Sequence, residues 1–204
     1  MDIIFATTNT NKVSRIKNFM GSDELEVHTL DEYGSDFTDA DESQSSPILI
    51  AENKAQHYFM QIDNNLPVLA QDDTIMIYPS GEAQEILSIK QPVTDKYGEF
   101  NDDNAIKYYT ELAAQNGGEL KLEFHYGFAL ATEEGTSSEP AILSGVLASD
   151  ISDTIQPGYF LTAIFKTESP SGEMKFMSEM DDAENAYADR DLKRAITKLL
   201  GLSQ

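Results

Sequence analysis

Leu66-Pro-Val-Leu-Ala-Gln-Asp-Asp-Thr74 is the stretch from which the rest of the chain can be read. Leu66 to Ala70 is a short apolar run of the kind that forms a buried strand. It closes in two adjacent carboxylates, Asp72 and Asp73, followed by Thr74. Adjacent acids at a strand end do nothing for folding, because like charges repel and neither can be buried without a partner. A hard divalent cation relieves that repulsion, and Mg²⁺ is typically held by one or two carboxylates together with waters and substrate phosphates. A solvated acidic turn would carry the same residues, so this stretch alone leaves both readings open.

The formal charge of −22, from 14 basic against 36 acidic residues, narrows the partners. A nucleic acid binds through lysines and arginines that neutralise phosphates, and this composition repels it; an anionic membrane surface is disfavoured in the same way. An anionic small molecule fits only where a metal and a few placed lysines reverse the field locally. A cytoplasm rich in salt, or acid adaptation, would also account for the acidity. No run approaches the roughly 18 apolar residues of a membrane span. The opening Met1-Asp-Ile-Ile-Phe-Ala6 lacks a basic n-region, so no secretory signal is expected and a cytoplasmic location is. Without cysteine there are no disulfides and no thiolate zinc sites, and His28, His57 and His125 are too scattered to predict a histidine cage.

Outward from the acidic stretch the pattern alternates. Residues 2–6 read as a buried strand, Thr7 to Asn11 as a polar turn, and Val13, Ile16, Phe19 and Met20 fall at helical spacing up to Gly21. The helix start, with its free N–H groups and one lysine, suits a phosphate, although Thr8 or Asn9 serves equally as an N-cap. Leu25 to Leu30 suggests a second strand, and the polar, acidic segment Asp31 to Pro47 a loop or mobile insertion. Pro47 to Ile62 is a helix with Glu52 on it. The Asp72 strand is expected to resume at Ile75 to Tyr78, while residues 82–101 give no clear pattern. Asp102 to Gln115 reads as a helix. Strands follow at Leu120 to Thr132, Ala141 to Ile151, Tyr159 to Lys166 and Met174 to Met177, with a turn-rich Glu133 to Pro140 between the first two. A helix from Ala183 to Leu200 ends the chain. The expected class is α/β or α+β with a mixed sheet, in a single domain spanning residues 1–204.

The order of these pieces is more informative than any one of them. Ala6-Thr7-Thr8-Asn9-Thr10-Asn11-Lys12, then Glu52-Asn53, then Asp72-Asp73-Thr74 resembles the inosine triphosphate pyrophosphatase family, which hydrolyses nucleoside triphosphates carrying deaminated purines. Downstream the likeness thins. Lys121-Leu-Glu-Phe124 stands for an Arg-x-Ala-x-Phe strand. Gly145 and Ile151 fall in a Gly-x-x-x-Gly-x-Ile run whose second glycine is here Ser149. Asn185-Ala-Tyr-Ala-Asp-Arg190 echoes Lys-Asn-x-x-Ser-His-Arg. The resemblance implies a long curved mixed sheet flanked by helices, two lobes and a central cleft, and a homodimer that cleaves between the α- and β-phosphates. It further implies Mg²⁺ on Glu52 and Asp72, and Asp73 as the group that positions or deprotonates the attacking water. Thr7, Asn9, Lys12 and Thr74 would contact the nucleotide, with Arg190 as a further cationic contact.

The departures fall together. After Ser80-Gly81 the chain runs Glu-Ala-Gln-Glu85 instead of the family's Pro-Gly turn. Phe160-Leu-Thr-Ala-Ile-Phe165 replaces a segment whose aspartate and proline help hold the base. Ala188-Asp189 replaces the Ser-His before the last arginine. The metal and phosphate half of the pattern is kept and the base-reading half rewritten. Two alternatives stand beside a pyrophosphatase of altered base preference: a relative that binds nucleotides without turning them over, and a phosphatase acting on another phosphorylated small molecule.

Overall fold

In the computed structural model, residues 1–20, 25–34, 36–62 and 65–202 are described. Gly21, where the first helix is expected to end, lies outside them. The first third of the chain alternates strand and helix: β1 (Asp2–Phe5), α1 (Thr10–Met20), β2 (Glu26–Thr29), α2 (Pro47–Gln61) and β3 (Val68–Ile77). There follow β4 (Gln84–Ile86), α3 (Gln91–Tyr97), α4 (Asp102–Gln115), β5 (Glu119–Thr132), β6 (Gly135–Ala148), β7 (Phe165–Glu168), β8 (Met174–Phe176), α5 (Asp182–Ala188) and α6 (Arg190–Leu199). The strands form one mixed sheet in the order β2-β1-β3-β5-β6-β7-β8, with β4 paired to β3. β1 is parallel to both β2 and β3, while β3–β4, β6–β7 and β7–β8 are antiparallel. No helix among the described residues is long and apolar enough to cross a membrane.

The α/β class agrees with expectation, and four local readings change. The acidic pair lies inside β3, not at a strand end. Successive side chains of a strand point to opposite faces, so Asp72 and Asp73 diverge and the ladder need not break between them. The segment Glu133 to Pro140, expected as a turn, belongs mostly to β6; only Glu133 and Glu134 turn the hairpin. Residues Phe160–Ala163 form a 3₁₀ turn instead of the start of a strand. The terminal helix is two, broken at Asp189.

Contacts divide the chain into two compact units. One comprises Met1–Asp73, His125–Ile142 and Arg190–Gln204, the other Thr74–Phe124 and Leu143–Asp189. The first unit holds the parallel strands. From β1 the chain crosses through α1 to β2 on one side, then returns through α2 to β3 on the other. Right-handed crossovers in opposite directions put the two helices on opposite faces, which opens a crevice at the carboxyl end of β1, where β3 runs on past it. The register Ile4↔Val68 and Phe5↔Leu69 assigns the faces. Ile4, Ala6, Val68 and Ala70 pack with Ala51 and Ala55 of α2 and with Ala129 and Ala131 of β5, leaving Ile3, Phe5 and Leu69 to the other face.

So many alanines let α2 approach the sheet closely. At its start, capped by Ser46 and begun by Pro47, the helix rests on Gly127 of β5. A Cβ there would overlap the backbone of Pro47 and Ile48. Gly127→Ala is therefore expected to cost about 1–3 kcal/mol, in line with overpacking of a tight core. Urea unfolding checks this, and an unchanged midpoint would contradict the close approach.

Candidate active site

β3 passes the last residue of β1 as it reaches the acidic pair: the N–H of Ala6 donates to the carbonyl of Leu69 at 2.8 Å. The turn between β1 and α1 is held by its own groups. The N–H of Asn9 donates to Thr7 Oγ1 at 3.1 Å, and the carbonyl of Asn9 accepts from Val13 at 3.2 Å. Lys12 is the third residue of α1, where the helix dipole opposes a cation. It donates to Asp73 Oδ1 at 2.5 Å, both side chains being about 70–75% enclosed at 27% and 29% exposure. The amide of Gln71, itself buried, adds a second donor to the same oxygen at 3.2 Å. The anion that the sequence expects at this helix start is, in the structure, the protein's own carboxylate.

Asp72 faces the α2 side and meets different neighbours. Burial pushes its pKa up to about 6; the ammonium of Lys54 pulls it back, Asp73 and Glu42 raise it further, and Lys12 lowers it. Lys54 projects from α2 with a side chain only 17% exposed, and it pairs with Glu42 at 2.7 Å. Glu42 comes from the acidic segment before α2, which is tied along that helix. Asn53 Nδ2 donates to the carbonyl of Asp41 at 2.6 Å, and the N–H of Thr38 donates to Gln61 Oε1 at 2.9 Å. The segment read as a mobile insertion is thus a strap that brings an acid toward Asp72.

The remaining expected residues lie as follows. Glu52, also on α2, accepts a hydrogen bond from Ser138 Oγ of β6 at 2.5 Å. It is 200° around the helix from Lys54, at 100° per residue, and no described contact joins it to Asp72. Thr74, the first residue of the second unit, donates to Glu85 Oε1 at 2.7 Å. Arg190 is exposed at the start of α6, in the first unit. Glu184, which precedes it on α5, accepts from Lys175 at both carboxylate oxygens at 2.7 Å.

Carboxylate oxygens of this kind, one of them half-buried, are the donors that hard cations take. Among the described residues, three ligand atoms close enough to share one ion are found only at Asp2, Glu26 and His28, on β1 and the edge strand β2. Asp72 and Asp73, on opposite faces of β3, are not part of such a group.

Residues 3–201 match the Ham1 family. The chain belongs to that family. Solved Ham1 structures share its fold. The Staphylococcus aureus Ham1 protein is 19% identical, with 98% of each chain covered and a TM-score of 0.69. A Coxiella burnetii HAM1 protein is 20% identical, again over 98% of each chain, with a TM-score of 0.68. The nucleoside-triphosphatase / dITP/XTP pyrophosphatase of Mycobacterium abscessus is 19% identical over 99% of this chain and 100% of its own, with a TM-score of 0.61. No curated protein matches the sequence significantly.

Sequence reading missed Lys54 and Glu42. Lys54 carried a signal: three residues after Ala51 and one before Ala55, it flanks the buried stripe of α2, where a lysine needs a partner. Glu42 carried none, since only the folded strap selects it from its acidic neighbours. Because Asp72 has a higher pKa folded than unfolded, its contribution to stability is full below about pH 4 and is lost as pH rises through about 6. Asp72→Asn is expected to be more stable than wild type at pH 8. Solvent screening holds the gain to on the order of 1 kcal/mol, and it should shrink toward pH 4. Urea titrations across that range check this, and a gain independent of pH contradicts it.

Proposed function

We propose that this Ham1-family chain hydrolyses a nucleoside triphosphate to the monophosphate and pyrophosphate, with Mg²⁺, as a homodimer whose base preference differs from deaminated purines. The observation that carries the reading is the Lys12–Asp73 pair, formed where β3 runs on past the carboxyl end of β1, beside a desolvated Asp72. Cations and carboxylates there neutralise one another, and both are the groups a metal–triphosphate complex needs. Asp72 would hold the cation, with Glu42 or Glu52 as a further carboxylate. Glu42 is favoured by its effect on Asp72, and Glu52 by its place in the sequence pattern. Bound there, the cation screens phosphate charge and polarises the oxygens it touches.

Were a cation held beside Asp72, Lys12 and Lys54 would be placed to take phosphate oxygens, so metal and nucleotide would each favour the other's binding. Thr7 and Asn9 present the helix start to the phosphates, and Thr74 and Arg190 supply further contacts. Asp73 accepts the proton of a water whose oxygen bonds to the α-phosphorus. The bond from that phosphorus to the oxygen bridging it to the β-phosphorus breaks, and pyrophosphate leaves with that oxygen. The altered base preference rests on Ala188-Asp189 and Phe160–Phe165. At the first of these, a buried carboxylate, an acceptor, stands where the resemblance has a histidine donor.

A panel of ordinary and deaminated nucleoside triphosphates with Mg²⁺ should include one that yields pyrophosphate, and Asp73→Asn should slow it about 100-fold or more. Orthophosphate without pyrophosphate would mark a phosphatase, and no turnover of any member by folded protein would leave a binding protein. Glu42→Gln and Glu52→Gln, compared for the Mg²⁺ concentration at half-maximal rate, decide the third carboxylate: the variant that needs more than about tenfold extra Mg²⁺ has lost a ligand.

A further inference from the structure

Among the six α-helices of the described residues, α1 alone carries no aspartate or glutamate, although acids outnumber basic residues 36 to 14 along the chain. Its cations Lys12 and Arg15 are three residues apart and so lie on one face of the helix. Lys12 reaches Asp73 of β3. Arg15 reaches Tyr126 of β5: Nη1 donates to the phenol oxygen at 3.0 Å, and the guanidinium carbon lies 5.4 Å from the ring centroid. β3 and β5 are neighbours in the sheet. Asp73 is the last residue of β3 in the first unit and Tyr126 the second of β5, so the two contacts stand side by side on strands about 4.8 Å apart, on the face that α1 covers. Tyr126 is buried and stacks on Phe128, which makes it a rigid anchor. Helical side chains lean toward the N-terminus of their helix, and this directs Arg15 back over the turn that holds Lys12.

Given the hydrolysis proposed above, on which this rests, we propose that Arg15 holds the phosphates that leave as pyrophosphate, with Tyr126 positioning its guanidinium. A polyphosphate approaching a chain of −22 needs a local cluster of cations, and the α1 face supplies two. Asp73 serves the water that attacks the α-phosphorus. Attack and departure are in line, so the leaving phosphates lie beyond that phosphorus, away from the water and within reach of a cation one strand over. Arg15 suits them in its chemistry. Its planar fork of five N–H donors matches the paired oxygens of a phosphate, and the contact with Tyr126 fixes the plane of that fork before any ligand arrives. A contact made only to seat α1 on β5 would be served as well by an apolar side chain over the Tyr126 ring; the charge is what a polyphosphate uses.

Calorimetric titration of pyrophosphate with Mg²⁺ into wild type and variants tests this. Arg15→Gln is expected to weaken binding by about tenfold or more. Arg15→Lys should weaken it less, since an ammonium keeps the charge and loses the fork. Tyr126→Phe, which removes the hydroxyl and leaves the ring, should weaken it severalfold. Circular dichroism verifies that each variant is folded, and the lysine and phenylalanine variants carry the test where glutamine disturbs the helix. Wild type that binds no pyrophosphate overturns the proposal, as does Arg15→Gln that binds it as tightly as wild type. Arg15→Lys equal to wild type overturns it too, because charge alone would then suffice. Triphosphate hydrolysis measured on the same samples separates the two readings. Turnover in wild type, with pyrophosphate binding indifferent to Arg15→Gln, removes the role of Arg15 alone; pyrophosphate bound through Arg15 without turnover of any triphosphate removes the hydrolysis alone.

Discussion

The geometry of the first unit depends on where the chain reverses its direction across the sheet. β1 leads outward to β2 and the return places β3 on β1's other side, so β1 ends beside a β3 that runs on, with a helix start on one face and α2 on the other. Nothing fills that point from the backbone alone, and polar side chains collect there. The period of two in β3 then distributes the acids, Asp73 toward Lys12 of α1 and Asp72 toward Lys54 of α2. Asp73 thus gains an ion pair with Lys12, while Asp72 feels the charge of Lys54, which itself pairs with Glu42.

The alanine-rich packing of α2 bears on the same chemistry. Ala51 and Ala55 against Ala70, Ala129 and Ala131 set the helix low on the sheet, and Gly127 admits its first turn onto the backbone of β5. A helix held further away would leave Lys54 more hydrated and its effect on Asp72 weaker, since screening grows with water between charges. The strap before α2 follows from that placement. Its anchors Asn53 and Gln61 are both helix residues, so the helix fixes where Glu42 falls.

The alternation of elements was legible because hydrophobic period and capping residues are local properties. The helices expected at Pro47 to Ile62 and Asp102 to Gln115 are found at Pro47–Gln61 and Asp102–Gln115, begun by the N-caps Ser46 and Asn101. Lys12 and the acidic pair were legible as chemistry, since a lysine in a first turn and adjacent carboxylates both demand partners. That the partners would be each other, across 61 residues, is a tertiary fact that no local rule contains. The misreadings have the same origin. Glu133 to Pro140 looked like a turn by composition, but sheet pairing carries β6 through it. Phe160 to Ala163 looked like a strand by apolar content, but it bends into a 3₁₀ turn.

The two units also divide what the chain keeps from what it changes. Thr7, Asn9, Lys12, Asp72 and Asp73, where the family pattern is intact, all belong to the first unit. The altered segments, Glu82 to Glu85, Phe160 to Phe165 and Ala188-Asp189, all belong to the second. Phosphate groups are common to every nucleotide, and a site that binds them through interlocked charges tolerates little change: replacing either member of a partly buried pair leaves the other uncompensated. A base is read by a few directional hydrogen bonds and by shape, and one residue exchanged from donor to acceptor changes which base satisfies it.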